Sequence, residues 1–152
     1  MEETPLYTRC LSRLQKLCSK AEYCRSAVYA KALKALDGDA AAAERVVAAL
    51  VADGYVDDAR YAAAFAREKA ALSGWGSVKI RYALGAKGIP RETVEAALAA
   101  IEPDAARSRL DKVVREKYRS LQGDPACRLK LLKFGLSRGY AYDEVDAAIR
   151  GL

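Results

Sequence analysis

Residues 53–88, DGYVDDARYAAAFAREKAALSGWGSVKIRYALGAKG, decide the fold. Gly54 and Tyr55 close one helical segment and Asp57-Asp58 open the next. An aspartate in that place caps free backbone N–H groups, and its charge suits the positive end of the helix dipole. Tyr61, Phe65 and Leu72 recur at helical spacing and predict an inward face, while Arg60 and Arg67 share another. Ser73-Gly74-Trp75-Gly76-Ser77 breaks that helix. A short helix over 77–86 follows, with Ile80, Ala83 and Leu84 inward and Lys79 and Arg81 outside, and Gly88 closes it.

The same plan extends both ways. On the N-terminal side, helices are predicted over about 6–19, 26–36 and 41–53. Their inward sets are Leu6, Cys10, Leu14 and Leu17, then Val28, Ala32, Leu33 and Leu36, then Val46, Val47, Leu50 and Val51. After Gly88, Ile89-Pro90 starts a helix carrying Val94, Ala97, Leu98 and Ile101, and Pro103 is read as its end. From Asp104 a longer helix buries Leu110, Val113, Val114 and Tyr118. A helix over 126–137 is expected to bury Leu129, Leu132 and Leu136, and one over 142–152 carries Val145, Ala148, Ile149 and Leu152. Setting Gly139 on Gly88 matches Val145 to Val94 and Ile149 to Leu98 without a gap, whereas setting Gly38 on Gly88 needs a two-residue insertion. The expectation is an all-α chain of three tandem three-helix repeats, residues 1–56, 57–103 and 104–152, forming an elongated curved array. One unit cannot bury its apolar face alone, so neighbours must stack.

The chain has 152 residues, 52% hydrophobic and 30% charged, a balance that argues against disorder. No apolar run approaches the roughly 18 residues of a membrane span. The polar, acidic Met-Glu-Glu-Thr-Pro start is unlike a secretory signal, so a cytoplasmic address and no membrane partner are expected. Histidine is absent, which removes the commonest general base near neutral pH. Cys10, Cys18, Cys24 and Cys127 match no zinc or redox spacing; Cys10 and Cys18 read as reduced packing residues. Asp57-Asp58 has no further acid at metal-binding spacing, and no phosphate-binding glycine loop is present. Neither an enzyme nor a cofactor is expected.

The net charge is +6. Residues 104–152 hold 11 basic against 7 acidic side chains, so +4 of it lies there. Arg9, Arg13, Lys16 and Lys20 make one basic stripe. Arg60, Arg67, Lys69, Lys79 and Arg81 make a second, and Arg109, Lys112, Arg115, Lys117 and Arg119 a third, continued by Lys130 and Lys133. These are either three solvated faces or one track suited to phosphates or to an acidic groove. Trp75 either plugs the seam between two units or stands as an exposed anchor for a partner or an unpaired base.

The ordered motifs resemble the RecX family, bacterial modulators of the RecA recombinase. Gly54, Tyr55, Val56, Asp57, Asp58, Arg60, Tyr61 and Ala62 match its G-[YF]-[LIV]-D-[DE]-x-R-[FY]-A core. Trp75, Gly76, Lys79 and Ile80 match a W-G-x-x-K-I element, and Arg138, Gly139 and Tyr140 a terminal R-G-[FY]. The resemblance runs from about Lys20 to the end. Ala83 departs from it where many members carry Glu, and the first unit is the loosest match. The resemblance implies a non-catalytic monomer that lodges in the groove of the RecA–single-stranded-DNA filament. There it would limit filament growth, ATP hydrolysis and strand exchange. It also implies contact with single- or double-stranded DNA. A direct DNA-binding module without RecA specificity is the alternative reading of the same residues.

Overall fold

The computed structural model describes residues 4–152. Among them are nine helices and no strand: α1 (Pro5–Lys20), α2 (Arg25–Ala35), α3 (Ala40–Ala52), α4 (Asp58–Ala71), α5 (Ser77–Ala86), α6 (Arg91–Ala99), α7 (Pro103–Leu121), α8 (Cys127–Ser137) and α9 (Tyr142–Arg150). Helices α1–α3, α4–α6 and α7–α9 pack mainly among themselves. Each trio encloses its own apolar core, centred on Leu50, Ile80 and Leu131 respectively. The accessible surface is 9381 Å², where a compact chain of this mass exposes about 7,500 Å². The excess is what a row of small units produces.

Local chemistry sets the helix starts. Thr4 Oγ1 accepts the Tyr7 N–H at 3.1 Å, Asp39 that of Ala42 and Asp57 that of Arg60. Asp58 reaches across to accept the Arg25 N–H at 2.9 Å, so the paired aspartates serve two helices from different units. Pro103 opens α7 rather than closing α6, which ends at Ala99; a proline at the first helical position lacks only an N–H that had no intrahelical partner. Gly88 (φ 75°) and Gly139 (φ 91°) end the second helix of their units, with Ile89 and Tyr140 bonding back to Leu84 and Gly135. In the first unit Asp37 (φ 55°) takes that left-handed place, and Gly38 N–H bonds Leu33 O.

Four inward faces differ from the sequence expectation. In α4 the buried row is Ala62, Ala66 and Ala70; Tyr61 and Phe65 flank it half-buried, and Leu72, beyond the last turn, is 79% exposed. Small side chains let α4 lie close on α6, which pushes the large ones to the rim. In α8 the buried positions are Leu131 and Gly135, leaving Leu129 and Leu136 exposed. Gly135 is where α9 comes closest, since a Cβ there would lie 2.5 Å from Val145 Cγ1. In α1 the buried residue is Tyr7 rather than Leu6, with the Arg45 guanidinium 4.6 Å from its ring. Leu152 lies past the end of α9 and is exposed. Cys10, Cys18 and Cys24 are buried free thiols, and burial pushes Cys10 and Cys18 up, away from the reactive thiolate.

The two seams between units are built differently. The first is made by side chains: Ser26 Oγ donates to Lys87 O at 2.6 Å, Arg60 pairs with Glu22, and Cys24 and Ala27 enter the second core. The second is backbone on backbone. Gly76 N–H donates to Arg138 O (2.8 Å) and Val78 N–H to Gly139 O (2.9 Å), with Tyr140 Oη donating to Gly74 O (3.3 Å). A Cβ on Gly76 would lie 2.4 Å from Gly139 O, and one on Gly139 2.2 Å from Lys79 Cβ.

This contrast makes Gly139→Ala the costliest of the left-handed glycine changes. It should lose about 3 kcal/mol in urea unfolding, from a strained φ plus overpacking. Gly88→Ala has a similar φ but open space around it, and should lose only about 1 kcal/mol. Equal losses would mean that the seam is not the tight contact described.

Buried Asp146 clips α9 to α8 by bonding Arg128, and it also bonds Arg150 one turn further along α9. The Arg128 bond, then the Arg150 bond, hold its carboxyl below the usual carboxylate range. A folded-state value below the unfolded one means this stabilisation is present above about pH 3.9 and lost as pH falls through the folded value. Asp146→Asn should therefore be less stable at pH 7 and lose less on acidification to pH 3 than the parent protein, as followed by helical circular dichroism.

Candidate functional site

Trp75 sits on the corner between α4 and α5, half-buried against the second core. Its ring packs edge-on against Phe65 of the same unit at 6.1 Å, and two lysines lie over it. Lys79 Nζ lies 4.5 Å and Lys69 Nζ 4.9 Å from its ring. The arrangement continues along α4, where Lys69 and Lys87 approach Phe65 at 5.6 and 5.7 Å, and Tyr61 stacks on Phe65 at 5.9 Å. Across the seam Arg138 reaches to within 3.9 Å of the space beside Gly74 and lies 5.1 Å from the Phe134 ring. Lys117 covers Phe134 at 5.4 Å. Lys117, Lys130 and Lys133 then line an open hollow with Phe134 and Leu121.

A band of rings and cations thus runs through the second unit into the third. It brings together Lys69, Trp75, Lys79, Lys117, Lys130 and Lys133 from the sequence expectation. It also includes Tyr61, Phe65, Lys87, Phe134 and Arg138, which the sequence reading did not assign to a site. Two of these carried a signal: Phe65–Lys69 and Phe134–Arg138 are spaced i, i+4 and meet on a helix surface. Lys87 reaches Phe65 only through the fold.

The remaining basic residues lie elsewhere. Arg60 pairs with Glu22 at 2.8 Å and also donates to Gly54 O, which makes it part of the first seam. Arg81 pairs with Glu95 at 2.6 Å, and that bond holds the Glu95 carboxyl below its ordinary range. Arg67 and Arg109 flank a small hollow of about 190 Å³ over the alanines of α4 and α6. The Arg109 Nε is shielded from solvent and has no hydrogen-bond acceptor among the described residues. Lys112, Arg115 and Arg119 are exposed on α7, as are Arg9, Arg13, Lys16 and Lys20 on α1.

Electrostatically, the band differs from its surroundings. Outside the band, ion pairs occupy Arg60, Arg81, Arg128 and Arg150; within it, Lys130 alone pairs with a carboxylate, that of Asp124 at 2.5 Å. Lys69, Lys79, Lys87, Lys117 and Arg138 lie instead on ring faces, which order a cation without neutralising it. Burial pushes the Tyr140 phenol up, keeping it protonated for its bond to Gly74 O beneath the band.

Comparison with known proteins places this architecture. A family model described as RecX, second three-helix domain, matches residues 57–98. A protein of Xanthomonas axonopodis pv. citri (strain 306) called Regulatory protein RecX is 33% identical over 150 residues, covering 98% of this chain and 88% of its own length. A protein of the same name from Escherichia coli (strain SE11) is 28% identical over 151 residues, with 93% and 90% covered. The crystal structure of RecX from Lactobacillus salivarius has the same fold, with a TM-score of 0.86 at 20% identity over 97% of this chain and 96% of that one. Identity of one residue in three along nearly the whole of both chains, with the central three-helix domain matched, makes this protein a member of the RecX family of regulatory proteins.

Proposed function

We propose that this chain binds the RecA–single-stranded-DNA filament and limits its ATP hydrolysis, growth and strand exchange, acting as a monomer without a cofactor or catalytic step. The observation that carries the reading is the tandem array of like units in a family of regulatory proteins. Repeated units suit a repeated target, because several modest contacts act at high effective concentration. The three segments 1–56, 57–103 and 104–152 would meet successive subunits. Contacts are assigned to Arg67, Lys69, Trp75, Lys79, Arg109, Lys112, Arg115, Lys117, Arg119, Lys130 and Lys133. Arg60, Arg81 and Lys130 have a weaker claim, because each is already spent on a carboxylate.

The test is RecA's ATP hydrolysis on single-stranded DNA, titrated with this protein. Inhibition at well below one copy per RecA supports the reading, and unchanged hydrolysis sinks it. Inhibition that begins only once the strand is saturated would mean competition for DNA. Lys112→Glu with Arg115→Glu should weaken inhibition about tenfold, since charge reversal acts strongly on an electrostatic contact. Both side chains are exposed, so the helical circular dichroism should stay as it was.

A further inference from the structure

Two hollows of about 190 Å³ each adjoin where the second unit meets α7, and they share Ala70, Ile101 and Arg109. The first is walled by alanines of α4 and α6, such as Ala71 and Ala97, and the second runs on to Trp75. Methyl walls suit an aliphatic chain, and each hollow is smaller than the roughly 300 Å³ of a drug-sized pocket. Arg67 and Glu102 stand exposed on the rim of the first. Glu144, on the second, already accepts the Ala141 N–H. Arg109 differs from all of these. It is half-buried and makes no ion pair among the described residues, and its Nε–H is shielded from water without an acceptor. A buried donor left in that state is uncommon and costly. The Nε–H and the Nη–H beside it form the fork that matches the two oxygens of a carboxylate.

We propose that the adjoining hollows bind a small aliphatic monocarboxylate, its chain along the alanines and its carboxylate on the Nε edge of Arg109. The guanidinium turns in its seat to bring that edge into the hollow, and the orphaned Nε–H gains its acceptor. Two arginines against one glutamate around the first hollow favour an anion over an amine. The apolar walls favour an anion with a chain over a bare inorganic one. Such a ligand touches α4 and α6 of one unit and α7 of the next, so it clasps the same two units that Gly76 and Gly139 join. Binding needs no RecA and does not use the lysines of the band, so its failure leaves the filament reading as it stands.

Trp75 lines the second hollow and is the one tryptophan of the chain, so its emission reports on the site. The full chain is titrated with hexanoate, beside hexanamide, which has the chain without the charge, and acetate, which has the charge without the chain. The expected result is a saturable change with a Kd of about 1 mM, a value in reach of a ligand with so few atoms. Each control should bind at least tenfold more weakly. Hexanoate should also raise the Tm, because only the folded chain offers the site. Arg109→Gln should lose about tenfold in affinity and the rise in Tm with it. Arg109→Lys keeps the charge without the fork and should stay about threefold weaker than the parent. Ala71→Leu puts a good helix former at an exposed place and fills the mouth of the first hollow. It should weaken binding about tenfold with the helical circular dichroism unchanged, which separates a blocked site from a folding defect. Arg9→Gln, which removes an exposed charge on α1, should change nothing. Emission unchanged at about 10 mM hexanoate, tenfold above the expected Kd, overturns the proposal. So does equal affinity for hexanamide, which would make the hollow a crevice that ignores charge. Equal affinity for acetate, or parental binding by Arg109→Gln, overturns it as well.

Discussion

The tightest constraint in the molecule is the contact of two backbones at the second seam. Gly76 and Gly139 meet there with no room for a side chain on either. The N–H of Gly76 and of Val78 bond to carbonyls at the end of α8, so the start of one helix is joined directly to the end of another in the next unit. The Trp75 corner, the reach of Arg138 past Gly74 and the passage of the band between units all follow from it. The first seam, made of a hydroxyl, one aspartate and an ion pair, carries no comparable steric demand.

Charge placement then separates two kinds of basic residue that look alike in the sequence. Arg60 and Arg81 have carboxylate partners within 3 Å and serve the architecture. Lys69, Lys79, Lys87 and Lys117 have aromatic partners at 4.5 to 6.0 Å. An ion pair cancels a charge locally, whereas a ring face holds it in place with its field intact. The net charge of +6 therefore understates how positive the band is, and the difference lies in the partners of each residue.

Much of this was legible in the sequence. The helix cap at Asp57, closing glycines at 54, 88 and 139, and the gapless match of the last two units depend on local rules and on counting. The faces of α4 and α8 were misread for a common reason. Their cores are built on Ala62, Ala66, Ala70 and Gly135, and a reading that weighs side-chain size gives the inside to Phe65, Leu72, Leu129 and Leu136. Small residues mark the place where helices come closest, which depends on the partner helix as well as on the sequence of one. At the site, i, i+4 spacing could have revealed Phe65 with Lys69 and Phe134 with Arg138. The meeting of Lys87 with Phe65, and of Arg138 with Gly74, needs two units in place.

The bare backbone at position 76 also sets the second unit apart from the third. At the register that sets Gly139 on Gly88, Gly76 falls on Cys127, which carries a side chain where the second seam has bare backbone. The next residue, Arg128, is already engaged with Asp146 and leaves no hydroxyl in the place Ser26 uses at the first seam. The start of α8 therefore differs from the starts of α2 and α5, each of which holds the end of the next unit's second helix. In the third unit the side chain at that position, Cys127, packs against the unit's own apolar core, so one place in the repeat serves a seam in one unit and a core in the next.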